Sequence, residues 1–268
     1  MHKKDIFYNK RIWITGASSG IGEALVYELA ERGAHLIISS NDIPGLERVK
    51  NACLAKSPDI RSAPFDLADT SAINSLVEKQ LQDIGGIDFL FNIGGISQRA
   101  RIEDTPLWLD RKIFEINYFG TIALTKAILP YMIQQKSGHI AATSSISGRF
   151  GFPLRSAYSA SKQALHGFFE TLYLENKENN IRTSVIIPGR VRTNISIHAL
   201  DGDGREHGKM DSGQASGITP QKAVKQILKG IALNRREILV GGSELTMLYI
   251  RRIWPWLFFR IGDKIKST

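Results

Sequence analysis

An α/β domain, built as a doubly wound parallel sheet of seven strands with helices on both faces, is the fold class that this sequence predicts. Seven short runs rich in apolar and β-branched residues alternate with longer segments of helical periodicity. The runs are nearly continuous in apolar character, as strands covered on both faces must be. The 268 residues, 43% hydrophobic and 23% charged, suit one globular domain spanning 1–268, and no repeat or low-complexity linker divides them.

The first strand, Arg11–Thr15, runs directly into Thr15-Gly16-Ala17-Ser18-Ser19-Gly20-Ile21-Gly22, which opens a helix over Ile21–Arg32. Glycines there let the backbone approach a pyrophosphate whose charge the helix N-terminus stabilises, so this turn is a dinucleotide site in the required strand-to-helix context. The second strand is His35–Ser39, and the third, Ile60–Phe65, leads to Asp66 and Leu67. A helix over Ala72–Ile84 connects to the fourth strand, Ile87–Phe91, and the run Asn92-Ile93-Gly94-Gly95 follows it. A long helical pattern over Leu107–Gln135 contains Asn117, a polar residue whose burial needs a partner. The fifth strand, His139–Thr143, ends at Ser144-Ser145, and a helix covers Tyr158–Asn176. After the sixth strand, Thr183–Ile187, the segment 189–219 is rich in Gly, Asp and Ser, with Asp201-Gly202-Asp203-Gly204 as a turn signal. A loop of that length at the carboxyl edge of an open sheet reads as a lid or substrate loop. The seventh strand is Glu237–Val240.

Tyr158 and Lys162 are four apart on a helix and share a face. A nearby ammonium favours the phenolate and lowers a phenol pKa that is about 10 when unperturbed, which makes an acid and base of Tyr158. Ser145, thirteen positions earlier, is placed to orient a carbonyl or alcohol oxygen. Such pairs also arise from packing alone, so the chemistry rests on the set rather than the spacing.

Taken together, the glycine turn, the Asn92-Ile93-Gly94-Gly95 run, Asn117, Ser145, Tyr158, Lys162 and Pro188-Gly189 resemble, in order and spacing, the single-domain, Rossmann-type form of the short-chain dehydrogenase/reductase superfamily, over about Lys10 to Gly242. Gly138-His139-Ile140-Ala141 and Pro153-Leu154-Arg155-Ser156-Ala157-Tyr158 look most like its family-member-7 branch. The resemblance implies hydride transfer between a nicotinamide cofactor and a carbonyl or alcohol. It gives Tyr158 the proton, Lys162 the nicotinamide ribose, Ser145 the substrate oxygen and Asn117 a water relay to Lys162. It assigns Gly16, Ser18, Ser19, Gly20, Ile21 and Gly22 to the pyrophosphate and adenosine ribose, and Asp66 and Leu67 to adenine. Asn92, Ile93 and Gly94 would line a ribose, with Ile93 and Gly94 departing from the commoner asparagine and alanine. Pro188, Gly189, Val191 and Thr193 would touch the carboxamide. At the end of the second strand, Ser40 and Asn41 stand where an acid would select NAD, and both can donate to a phosphate. NADP is therefore expected, with NAD as the alternative because Asp42 lies one residue on.

Ile146, Phe150 and Phe152 suggest an apolar pocket for a lipid-like, steroid-like or other hydrophobic substrate, or are ordinary core. The helices around Leu107–Gln135 and Tyr158–Asn176 resemble the superfamily's subunit interface, so a homodimer or homotetramer is expected. The competing classes are a noncatalytic dinucleotide-binding regulator, disfavoured because such proteins tend to lose the tyrosine or lysine, and a peripheral membrane protein, which only the tail supports.

Other classes find little support. Cys53 is the only cysteine and the six histidines are scattered, so neither a disulfide framework nor a metal site is expected. No apolar run reaches signal-peptide or membrane-spanning length, and a cytoplasmic location is the expectation. The net charge of +9 is concentrated at the ends, +3 over residues 1–11 and +4 over 249–268, and no nucleic-acid motif occurs, so nucleic acid is not an expected partner. The tail, 243–268, mixes Trp254, Trp256, Phe258 and Phe259 with Arg251, Arg252 and Arg260, interrupted by Pro255. It reads either as an interfacial membrane segment, aided by the basic N-terminus, or as a helix packed over the pocket or against another subunit.

Overall fold

Alternation along β1 (Arg11–Thr15) sets the layers: Ile12 and Ile14 face one set of helices and Trp13 the other. The computed structural model describes residues 5–82 and 84–262. Lys3, Lys4, Asp263, Lys264 and Lys266, which carry part of the terminal charge, lie outside them.

The sheet is parallel throughout. Its other strands are β2 (His35–Ser39), β3 (Ile60–Ser62), β4 (Phe89–Asn92), β5 (Gly138–Thr143), β6 (Ile181–Pro188) and β7 (Glu237–Val240), in the spatial order β3-β2-β1-β4-β5-β6-β7. The chain winds outward from β1 to β3, then returns to lay β4 against the other side of β1. That reversal opens a crevice at the carboxyl ends of β1 and β4. One face is covered by α1 (Gly20–Glu31), α2 (Ile43–Cys53) and α8 (Pro220–Ala232), packed on Ile12, Ile14, Leu36, Ile38 and Ile186. The opposite face is covered by α3 (Ile73–Gln82), α5 (Thr121–Gln135) and α6 (Ser156–Asn176), packed on Trp13, Leu90, Ile140 and Ile187. The expected fold class is thus the observed one.

Two expectations are corrected. Leu107–Gln135 is not one helix: α4 (Leu107–Phe114) passes into a π-helical turn, Glu115–Gly120, before α5 begins. At its end Gly120 packs on the backbone of Leu67, where a Cβ would lie 2.3 Å from the carbonyl oxygen. The wider turn makes that approach and carries Asn117 inward. The segment 189–219 is also more ordered than a bare loop. It contains a 3-10 turn at Asn194–Ser196, the single-turn α7 (Ser212–Ala215), and bridges pairing Gln98 with Leu200 and Val191 with Ile218.

In the tail, α9 (Thr246–Ile253) stops before Trp254 and α10 (Pro255–Gly262) starts at the proline, whose missing N–H costs nothing at a first helical position. No helix among the described residues is long and apolar enough to cross a membrane.

Candidate active site

The crevice is a cleft of about 820 Å³ running from the glycine turn to the far ends of β5 and β6. Its first half is a backbone cradle. Thr15 Oγ1 accepts from the Ile93 and Gly94 N–H groups, both at 3.1 Å, which ties the end of β1 to the end of β4. Gly16 has φ +63°, and a Cβ there would sit 2.7 Å from Gly94 Cα; at Gly22 a Cβ would lie 2.1 Å from the Gly16 carbonyl oxygen. Only glycine fits either place. Ser19 occupies the N-cap position of α1 without capping it through its side chain, leaving that end to an anion. This geometry fits a diphosphate.

Around the cradle, Ser18 Oγ meets Ser40 Oγ at 2.9 Å, and Asn41 Nδ2 reaches Asp66 Oδ2 at 3.5 Å. Arg48, from α2, donates to the Ser18 carbonyl at 3.0 Å and pairs with Glu23 at 2.5 Å. Asp42 is occupied as the N-cap of α2, accepting from Gly45 N at 3.1 Å. On the opposite wall Gln214 Nε2 donates to the Val191 carbonyl and, at 3.3 Å, to Thr193 Oγ1, whose side chain lies over Gly20.

The second half of the cleft is built by β5 and α6. Ser144, at the end of β5, is bonded through Oγ to the Lys162 carbonyl at 2.9 Å and to His166 Nε2 at 2.8 Å, clamping α6 to the strand. Ser145 then starts a 3-10 turn, Ile146–Gly148, whose Gly148 packs on the Lys162 backbone, where a Cβ would lie 3.0 Å away. The clamp sets Ser145 and Tyr158 on the same wall of the cleft, where Ser145 favours the ionised phenol. Lys162 Nζ donates to the Thr143 carbonyl at 2.8 Å and lies 5.9 Å from the Tyr158 ring centroid.

Electrostatics here departs from the simple pair. Burial pushes the Tyr158 phenol above its usual range, opposed by Ser145 and the fields of Arg155 and Arg99. Burial also brings Lys162 down to about 8. Lys162, expected to lower the phenol, is not among the charges that oppose burial here. Desolvation outweighs the charges, and the ammonium is directed at a carbonyl rather than at the phenol oxygen.

Asn117 is fully buried behind the cleft wall. Its Oδ1 accepts from Ile96 N at 2.8 Å, and its Nδ2 donates to the Ile96 carbonyl at 3.0 Å and Ser161 Oγ at 3.1 Å. Gly95 separates it from Lys162: a Cβ on Gly95 would lie 2.7 Å from Asn117 Oδ1 and 3.1 Å from Lys162 Nζ. The amide thus positions the β4–α4 connection against α6.

The remaining expected residues, Ile21, Leu67, Ile93, Gly94, Pro188 and Gly189, all line the cleft, as do Ile146, Phe150 and Phe152. Asn92 does not. Strand alternation puts it on the Leu90 face, where Nδ2 donates to Thr125 Oγ1 of α5 at 3.1 Å. Among the cleft residues that were not expected are Arg48, Arg99, Arg155 and Asp211. Asp211 Oδ2 accepts from Arg99 Nε at 3.0 Å and Arg155 Nη2 at 2.8 Å. Its Oδ1 lies 3.7 Å from His207 Nε2. Burial, with Arg99 next to it, brings the Arg155 guanidinium down to about 10. Arg99 and Asp211 are 112 residues apart, and no local pattern marks such a pair. Among the described residues no group of three or more His, Cys, Asp or Glu side chains is arranged to hold a metal.

The family model for short chain dehydrogenases matches residues 10–203. The chain belongs to the short-chain dehydrogenase/reductases. Within them it stands with the family-member-7 branch. It is 38% identical over 266 residues to the mouse (Mus musculus) dehydrogenase/reductase SDR family member 7B, covering 97% of this chain and 82% of that protein. To the Drosophila melanogaster family protein 7-like it is 40% identical over 260 residues, covering 95% and 80%. A short-chain dehydrogenase/reductase from Burkholderia phymatum, solved in complex with NAD, superposes with a TM-score of 0.82 at 23% identity over 98% of this chain and 97% of that one. An alcohol dehydrogenase from Thermococcus sibiricus, complexed with 5-hydroxy-NADP, gives 0.75 at 22% identity over 87% and 97%. As a short-chain dehydrogenase/reductase the protein is an oxidoreductase that acts on a small molecule with a nicotinamide dinucleotide, and the glycine cradle is where this chain fits the diphosphate.

Proposed function

We propose that this short-chain dehydrogenase/reductase is an NADP-dependent carbonyl reductase, acting in reverse as an alcohol dehydrogenase, on a hydrophobic carbonyl compound. The observation that carries this reading is the convergence of Ser145, Tyr158 and Lys162 on one cleft wall, continuous with the glycine cradle. When bound, the nicotinamide supplies the hydride or accepts it.

In this mechanism the Ser145 hydroxyl donates to the substrate oxygen and sets its position. Tyr158 gives its phenolic proton to that oxygen, or as phenolate takes one from an alcohol. Lys162, anchored on Thr143, steadies the negative charge that Tyr158 acquires. Asn117 is a positioning residue, holding Ile96 and Ser161 around this group. Ile146, Phe150 and Phe152 supply the apolar surface that a hydrophobic substrate needs.

The preference for NADP is supported by the polar corner beyond the cradle. Ser18, Ser40, Asn41 and the Arg48 guanidinium share it, and Asp42 is engaged in capping α2. Arg48→Ala is expected to raise the KM for NADPH roughly tenfold or more, the cost of one charge-assisted hydrogen bond, and to change the KM for NADH little. Steady-state kinetics with both cofactors checks this, and a wild-type preference for NADH would overturn the assignment. The reaction class is tested by NADPH consumption across a panel of hydrophobic aldehydes and ketones, where turnover of none would refute it.

A homodimer or homotetramer through α4, the π-turn and α6 is part of the same reading. Exposed Leu107, Trp108, Phe119 and Leu174 on these elements support it.

A further inference from the structure

The tail has two faces, and they do different things. Toward the protein, Phe258 is buried with its ring 4.8 Å from that of Phe150, a cleft residue, and Met247 itself lines the cleft. Glu244 anchors the start of the tail, its Oε1 accepting from Arg190 N at 2.8 Å and Gly242 N at 3.0 Å. The expectation of a helix packed over the pocket describes this side. On the other side Tyr249, Ile253, Trp254, Trp256 and Phe259 are each more than half exposed. Five large apolar side chains in two adjoining short helices and the residue between them exceed the scattered exposure that a soluble surface normally shows.

The charges within these two helices all have one sign. From Leu245 to Gly262 the chain holds Arg251, Arg252 and Arg260 and no acidic residue. Arg252 and Arg260 are exposed beside the aromatics, while Arg251 stacks over the Phe259 ring at 5.2 Å. Tryptophan carries an apolar body and one polar N–H, the combination favoured at the boundary between headgroups and acyl chains. Arginines level with it match anionic headgroups. Neither helix is long enough to span a bilayer, so the face lies on the surface rather than crossing it.

We propose that the exposed face of α9 and α10 docks on an anionic phospholipid bilayer, seating the substrate half of the cleft against the membrane surface. This goes beyond the proposed reaction and does not depend on it, because binding is measured without turnover. Five side chains at the interface supply the apolar contribution, and the arginines supply the preference for anionic lipid. The membrane alternative in the tail sequence and the packed-helix alternative are then the outer and inner sides of one element.

The test is sedimentation of the full-length protein with vesicles of phosphatidylcholine alone or mixed with phosphatidylserine. Binding to the anionic vesicles is expected, weaker to phosphatidylcholine, and reduced by salt. Wild-type tryptophan emission is expected to move to shorter wavelength and to be quenched by brominated lipid. Arg252→Gln/Arg260→Gln is expected to lower the partition coefficient for anionic vesicles about 30-fold, taking each basic residue as about fivefold. Trp254→Ser/Trp256→Ser/Phe259→Ser is expected to abolish binding while Phe258 keeps α10 on Phe150. Should the triple variant misfold by circular dichroism, wild-type quenching by brominated lipid decides. Absence of anionic-vesicle binding by the wild-type protein, or of quenching, overturns the proposal. So does a triple variant that binds vesicles normally but loses a dimer in sedimentation velocity, since the face would then belong to a second copy of the chain.

Discussion

Tyr158→Phe is expected to reduce turnover by about 10²- to 10⁴-fold, the usual size of a lost general acid or base, with cofactor binding intact. Phenylalanine keeps the ring packed in the buried site and removes only the phenolic oxygen. The wild-type pH profile is expected to be asymmetric. Carbonyl reduction uses the protonated phenol, which burial holds above its usual range, so its rate is level through neutral pH. Alcohol oxidation uses the phenolate and climbs with pH into the alkaline region. The Lys162 ammonium, near 8, loses its proton before that limb is complete. Rates in both directions from pH 6 to 10, with cofactor titration by fluorescence, check the prediction. A Phe variant within twofold of wild type would sink the acid/base role.

Asp211→Asn is expected to be the most damaging change outside the catalytic group. The carboxylate is buried, and through Oδ2 it compensates Arg99, whose side chain is 3% exposed. Asparagine keeps the shape and removes the charge, leaving the Arg99 guanidinium without its carboxylate in a dry site. Breaking a buried pair in this way costs about 3–5 kcal/mol. Asp211 also fixes the segment 189–219 to the β4–α4 connection and to the residue before α6. The loss should therefore appear as a lower urea midpoint and as faster amide exchange across 194–216. KM for substrate should rise more than kcat falls, because the segment lines the cleft. A variant within about 0.5 kcal/mol of wild type would show that the cluster is not holding this segment.

The sheet was legible because parallel strands buried on both faces read as apolar runs with little ambiguity. β1, β2 and β7 have the boundaries expected from those runs, while β3 stops at Ser62, where its pairing with β2 ends at Ile38. The glycine turn was legible as a run, although only Gly22 answers to contacts within it, while Gly16 answers to Gly94 at the end of β4. Leu107–Gln135 misled because a π-turn keeps helical periodicity to within one residue, so composition does not mark it. Asn92 misled because the last residue of a strand can serve either face, and Leu90 and Thr125 decide which.

What the sequence determined by itself is the set of groups and their order along the chain: the glycine turn, the serine after β5, the tyrosine and lysine one helical turn apart, and the aromatic and basic tail. Each is a short run or a fixed spacing, which a linear pattern can show. The tertiary structure alone decided the electrostatics and the enclosure. Desolvation of Tyr158 and Lys162 comes from everything packed around them, and it reverses the direction that the pair alone suggests. Arg48 reaches Ser18 from 30 residues away, and Asp211 meets Arg99 across 112. The division of the tail into a buried Phe258 and exposed tryptophans follows from where α10 lands on Phe150. Burial and long-range pairing are properties of the whole packed chain, and no segment of it carries them alone.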